Sequence, residues 1–341
     1  NYEHGRTVER AIHDMGDYLI GRDPRQIEDH WQALFRSSYS RQMPILLAAL
    51  SGIEQACLDI LGKSLDAPIW RLLGGSCRDR IRVYGSAGGS TLEEYAENAR
   101  KVVARGFTAL KVTPFPGAVR YIETPAAIDE IVERIATIRQ AVGPQIDIAI
   151  DFHRAVSPAL ARILLQELVP FKPMFVEEPT HPENVDALLE ITRSTTIPIA
   201  TGERNTTRWG FREIVEKKAA AVLQPDIRHC GGILEMRKIA SLAEIHYLAM
   251  APHSAADPVG VAASLQAMAS TPNLLIHEYG GGNGEGLFKE PLQFRDGYVE
   301  LPQGPGLGFE IDAEGLEANR TDEWRLRNMR RDPGDNSVAD I

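Results

Sequence analysis

The chain has 341 residues, 43% of them hydrophobic and 25% charged, with a formal net charge of −10. That length exceeds what one small domain needs and suits a barrel of roughly 250 residues plus an accessory domain. The acidic balance argues against a nucleic-acid surface, and no apolar run approaches the ~20 residues of a membrane span.

The sequence begins at Asn1, without Met, directly in a helical pattern, and no signal peptide opens it. Cys57, Cys77 and Cys230 have no metal-ligand spacing. So few cysteines, and an odd number, read as structural thiols in a reducing cytoplasm. A cytoplasmic protein with a small-molecule substrate, and with neither nucleic-acid nor membrane partners, is the expectation.

About the first 75 residues have helical apolar periodicity. TVERAIHDMGDYLIG stops at Gly21, RQIEDHWQALFRS follows, and MPILLAALSGIEQACLDILGK is apolar on most sides and should be largely buried. From residue 81 the pattern changes to short β-rich runs: IRVYGS, ALKVTP, DIAIDFH, MFVEEP, PIATGE, AVLQPD, YLAMAPH and LLIHE. Helical stretches such as EEYAENARKVVARG, DEIVERIATIRQAVG and LEMRKIASLAEIH lie between them. Eight alternating units predict a (β/α)8 barrel rather than a Rossmann-like sheet, because no G-x-G-x-x-G follows the first run. The expected division is residues 1–80 as an N-terminal domain, 81–290 as the barrel, and 291–341 as a Gly/Pro-rich segment returning to the N-terminal part. Its charged end, WRLRNMRRDPGDNSVADI, reads as a surface strip.

Barrels carry their chemistry at the C-terminal ends of the strands. Asp151, Glu177 and Glu203 close the third, fourth and fifth runs, each 26 residues from the next. One such carboxylate alone is as readily half of a salt bridge. Three at equivalent strand ends are too repulsive to stay bare, and an all-oxygen cluster suits a hard divalent cation, most simply one Mg2+. Alternation places His153 on the same side as Asp151, and turns Glu178 away from Glu177 toward a basic neighbour. Lys111, on the second run, could balance the carboxylates; Thr113, two residues on, cannot act as a base. Asp226 and His253 end the sixth and seventh runs and suit a dyad in which the carboxylate orients the imidazole as a general base. Glu278 ends the eighth run. It could be held protonated to donate to a developing oxyanion, or be a carboxylate bound to a substrate hydroxyl or a lysine. His277 reads as structural, and His229 and Cys230 are weak candidates.

These residues, with GDYLIG, DFH, EEP, GER, LQPD, APH, PGLG and DNSVA spread along the chain, resemble the mandelate racemase subgroup of the enolase superfamily, and within it the galactonate dehydratase-like branch. The resemblance implies a modified TIM barrel, (β/α)7β, under an α+β capping domain formed from both chain ends. In that family the cap begins with strands that precede the helices, and this sequence starts after them. It also implies homo-oligomers and a Mg2+ ion bound by Asp151, Glu177 and Glu203. The implied substrate is a sugar acid, contacted by Lys111, Arg204, His153 and Glu278. His253, paired with Asp226, would take the C2 proton, and His153 would protonate the departing 3-hydroxyl. Thr113 stands where racemases with a lysine base carry it, which favours dehydration. Racemisation, epimerisation or cycloisomerisation stay open, as does a catalytically silent sugar-acid-binding barrel. The stretches VTPFPGAVRYIETPAA and EYGGGNGEGLF, at the expected barrel mouth, depart from the galactonate dehydratase pattern and leave the sugar acid open.

Overall fold

A computed structural model describes residues 5–115, 124–254, 257–280, 282–320, 331 and 336–338. Most of the charged C-terminal strip, and the middle of the stretch after the second run, lie outside the described residues.

The chain opens with helices α1 (Gly5–Leu19), α2 (Ile27–Ser37), α3 (Pro44–Ser64) and the single turn α4 (Ile69–Leu72). Helix α3 is long and apolar enough, by length and composition, to cross a membrane, which corrects the expectation that no run reaches that size. Here 61% of its apolar window is buried inside the protein, and Glu54 and Gln55 are among its buried residues.

The barrel follows in strict alternation. Its strands are β1 (Arg80–Ala87), β2 (Ala109–Val112), β3 (Asp147–Asp151), β4 (Phe175–Glu177), β5 (Ile199–Thr201), β6 (Val222–Leu223), β7 (Ala249–Met250) and β8 (His277–Glu278). Each neighbour pair from β1 to β7 is parallel, and β8 pairs with β1 in parallel. Backbone bonds from Met250 N to Asn273 O and from Leu275 N to Met250 O join β7 to the approach of β8, which closes the barrel. Seven helices connect the strands: α5 (Leu92–Ala104), α6 (Pro125–Val142), α7 (Pro158–Leu168), α8 (Val185–Arg193), α9 (Thr207–Lys217), α10 (Ile233–Glu244) and α11 (Pro258–Ala269). Among the described residues no helix lies between β8 and the next strand. Instead β9 (Phe294–Arg295) and β10 (Tyr298–Glu300) form a hairpin, and β10 pairs antiparallel with the start of β1. Asp296 and Gly297, both at positive φ, make its two-residue turn. The architecture is therefore (β/α)7β.

Two barrel helices escaped the sequence reading. Helix α11 is apolar on every side, with ten buried residues in a row, so it has no periodic stripe to detect. Helix α7 begins at Pro158 behind Ser157, whose side chain accepts from Leu160 N, a start signal that the reading passed over. Thr91, Thr124, Asn184 and Asp257 cap α5, α6, α8 and α11 in the same way, whereas α10 starts at Gly232 with no side-chain cap of its own.

Beyond β10 the chain passes back over the N-terminal helices. Ile69 N donates to Gly306 O, Gly306 N donates to Ala67 O, and Trp70 Nε1 donates to Pro302 O at 2.9 Å. Gly306 is required here: its φ is +67°, and a Cβ would lie 2.8 Å from the Asp59 carbonyl oxygen. The short helix α12 (Ala313–Ala318) ends the continuous described chain.

Candidate active site

The three spaced carboxylates do reach one rim, although even spacing is not what equates them. Asp151 and Glu177 are register partners at the last positions of β3 and β4. The register partner of Glu177 on β5 is Ala200, so Glu203 lies beyond the strand. It follows Gly202 at φ +134°, where a Cβ would meet the Phe211 ring at 2.6 Å. Strand alternation also stops short of His153. That residue sits two past β3 in a left-handed turn (φ 44°), and its backbone N donates to Asp151 Oδ1 at 2.9 Å. Arg154 and Glu178 share positive φ, so left-handed turns follow all three strand ends. Such backbone is costly for side-chain-bearing residues and clusters at functional rims.

Lys111, on β2, is the hub of the buried charges. Its Nζ lies 2.9 Å from Glu177 Oε1, 3.0 Å from Glu278 Oε1 and 3.4 Å from Asp151 Oδ2. Burial works against the ammonium, but the charges of Glu177 and Glu278 outweigh it and raise its pKa well above the usual lysine value. Burial tends to neutralise Glu278 too; Lys111 and His253 overcome that and hold it below its usual value. Ser254 N also donates to Glu278 Oε2 at 2.8 Å. Of the two forms expected for Glu278, its contacts match the acid paired with a lysine.

His253 Nδ1 lies 2.7 Å from Asp226 Oδ2, and its Nε2 is 3.5 Å from Glu203 Oε2 and 3.8 Å from Glu278 Oε2. Asp226 and His253 also face each other as a parallel bridge, so the dyad is built into the sheet register. Burial alone would lower the imidazole's pKa, but Glu278, Asp226 and Glu203 raise it to about 9. At the other end of the carboxylate row, His153 Nε2 is 3.4 Å from Asp151 Oδ2 and its Nδ1 is 3.4 Å from Thr113 Oγ1.

Several residues at the site were missed by sequence reasoning. Arg154 Nη1 contacts Glu203 Oε1 at 2.5 Å and Glu178 Oε2 at 3.2 Å, and is the basic neighbour foreseen for Glu178. Gln224 Nε2 donates to Glu177 Oε2 at 2.8 Å. Its place in LQPD, two residues before Asp226, was the available signal. Arg228 grips both oxygens of Asp226, and His229 Nε2 lies 2.6 Å from the Glu203 carbonyl oxygen. Arg204 is exposed, outside the buried ring of contacts. His277 is fully buried with Nε2 2.7 Å from Ser264 Oγ, a structural placement.

The residues suit a divalent cation by their chemistry. Asp151 Oδ2 is buried without a hydrogen-bond partner. Burial, and then the charge of Asp151, push Glu177 up to about 8 even with Lys111 beside it. Both features mark carboxylate oxygens crowded together beyond what Lys111 and His153 offset, the preference of a hard cation. As they stand, no three or more His, Cys, Asp or Glu side chains among the described residues are grouped so as to hold a metal ion. Lys111 stands among the carboxylates, and Arg154 holds one oxygen of Glu203.

Fold and rim together define a capped barrel with its ionisable groups at the C-terminal strand ends. Residues 94–315 match the family described as enolase C-terminal domain-like, and residues 2–74 match the mandelate racemase/muconate lactonizing enzyme N-terminal domain. The chain belongs to the enolase superfamily, whose members are enzymes. A Rubrobacter xylanophilus DSM 9941 protein described as mandelate racemase/muconate lactonizing enzyme-like is 34% identical. The similarity covers 93% of this chain and 88% of that one, with a TM-score of 0.88. A Mesorhizobium loti protein provisionally named a dehydratase is 33% identical over 92% of this chain and 87% of its own, with a TM-score of 0.87. A provisionally named dehydratase from Zymomonas mobilis ZM4 is 32% identical over 92% and 86%, with a TM-score of 0.87.

Proposed function

We propose that the protein is a Mg2+-dependent acid-sugar dehydratase acting on an aldonate, galactonate or a near epimer, to give a 2-keto-3-deoxy sugar acid. The observation that carries this reading is the pair of imidazoles at the two ends of one carboxylate row, His153 against Asp151 and His253 against Glu203. Elimination of water across C2 and C3 needs one group to take a proton and another to give one.

Asp151, Glu177 and Glu203 would hold the cation; when bound, it supplies positive charge beside the substrate carboxylate and 2-hydroxyl and makes the C2 proton more acidic. His253 in its neutral form takes that proton on Nε2, while Asp226 holds Nδ1 and stabilises the resulting imidazolium; a cation held by Glu203 would offset part of the negative charge that raises His253 to about 9. Lys111, fixed by Glu278 and Glu177, donates toward the carboxylate oxygen that gains charge. His153 protonates the 3-hydroxyl, the C3–O bond breaks, and water leaves. The enol then takes a proton at C3 and becomes the 2-keto acid. Arg204, exposed beside Glu203, is assigned to the sugar chain. Thr113 next to His153 offers no second amine base, which favours dehydration over racemisation. The provisional dehydratase names of two relatives agree with this reading.

The test is to incubate the protein and Mg2+ with a library of mono- and diacid sugars and assay for 2-keto acids. At least one aldonate should be converted. Binding without turnover across the library, or epimerised products alone, would contradict the reading.

A further inference from the structure

The loop between β6 and α10 carries Asp226 and His229, so its position fixes the orientation of His253 and the backbone at Glu203. Its first half is held from within: His229 N and Cys230 N donate to the Asp226 carbonyl oxygen, and Arg228 grips the Asp226 carboxylate. Gly231 and Gly232 are both at positive φ, and α10 lacks a side-chain cap of its own. The barrel holds it through Thr207 N, which donates to Cys230 O, and the N-terminal helices hold its second half. Glu54 of α3 accepts from Ile233 N and Leu234 N, each at 2.8 Å, one with each carboxylate oxygen. Ser51 Oγ accepts from Gly231 N at 3.0 Å, Trp31 Nε1 donates to Gly231 O at 2.8 Å, and Gln55 Nε2 donates to Ile227 O at 3.0 Å. A Cβ at Gly232 would sit 2.2 Å from Glu54 Oε2, so the glycine is what admits the carboxylate.

Burying the charged form of Glu54 is costly, and the bonds from Leu234 N and Ile233 N offset part of that cost. A neutral side chain of similar shape would fill the space without that cost. What the carboxylate adds is two oriented acceptors at the positive end of a helix. The helix it caps is the one that follows Asp226.

We infer that Glu54 is a positioning residue for the Asp226–His253 pair: with Trp31, Ser51 and Gln55 it clamps the β6–α10 loop, so that docking of the N-terminal helices onto the barrel and alignment of the proposed base are a single structural event. The kinetic part of this inference rests on the role proposed for His253; the structural coupling does not.

The test compares Glu54→Gln and Trp31→Phe with wild type by hydrogen–deuterium exchange of the full-length protein and by steady-state kinetics. Phenylalanine keeps an aromatic ring at position 31 beside Phe35 and Trp209, and removes the indole N–H together with the second ring. Both variants should speed exchange in residues 224–234 and 249–254 while leaving 147–152 and 174–178 unchanged. Against any aldonate that is turned over, Glu54→Gln should lower kcat about tenfold with KM and Mg2+ affinity unchanged. In an Asp226→Asn background it should have no further effect, because the group it aligns is already lost. Uniform loosening of all four segments, or no change at 249–254, would overturn the inference, as would an effect on kcat that multiplies with that of Asp226→Asn. If no sugar acid is turned over, the dehydratase reading has failed, and the exchange data alone decide this one.

Discussion

His253 and Asp226 are joined twice, by the bridge between their backbones and by the 2.7 Å contact between Nδ1 and Oδ2. The sheet register that pairs Leu223 with Met250 carries through to these two residues, so the dyad is rigid by construction. Asp226→Asn and His253→Asn should each reduce kcat for the aldonate by about 10²–10⁴. The His253 variant should also lose exchange of the C2 proton with solvent, read by proton NMR. Retained exchange in that variant would assign the base elsewhere.

His153 should behave differently. It is half exposed, in a left-handed turn, and touches only the far end of the carboxylate row. His153→Asn is expected to abolish water loss by a similar factor while C2 exchange continues, because removal of the proton does not depend on it. Full dehydration by this variant would remove its acid role.

Glu177 provides a signature of the metal that needs no turnover. Burial and the charge of Asp151 raise Glu177 to about 8 against the pull of Lys111. A cation requires the carboxylate, so Mg2+ binding near neutral pH should release protons, and apparent affinity should rise with pH through this range before levelling off. Titration in weakly buffered indicator dye reads the proton, and calorimetry reads the affinity.

His277 predicts acid sensitivity. Burial holds its imidazole down to about pKa 4 in the folded chain, opposed only weakly by Glu278 and Asp226. In the unfolded chain it takes a proton near 6.5, so acid draws the equilibrium toward unfolding between those values. The stability it contributes is complete above pH 6.5 and lost as pH falls toward 4, by about 3 kcal/mol at ~1.4 kcal/mol per unit. Glu54 and Glu177, both raised, act in the opposite sense, so the effect must be read as a difference. His277→Gln should lose stability less steeply than wild type between pH 6.5 and 4 in urea melts. Parallel curves would contradict this.

The order of the eight strands and the identity of the rim residues were legible because each strand is a short apolar run that ends in a polar residue. The left-handed turns were not legible, since nothing in DFH or EEP announces that the backbone reverses at His153 or Glu178. The 26-residue spacing reads as three equivalent strand ends, and that equivalence holds for only two of the three acids. Asp151 and Glu177 are true register partners, while Glu203 depends on the turn at Gly202. Pairings between distant residues were also out of reach. The choice of Lys111 as partner for Glu278, and the grip of Glu54 on a helix 179 residues away, depend on tertiary packing that a local pattern cannot encode.

The central claim is tested most directly by following one aldonate with Mg2+ in D2O by proton NMR. The account predicts disappearance of the C2 proton signal together with growth of a 2-keto-3-deoxy product bearing a single deuterium at C3. Exchange of deuterium into C2 with no loss of the 3-hydroxyl, or the C2 epimer as the sole product, would contradict it.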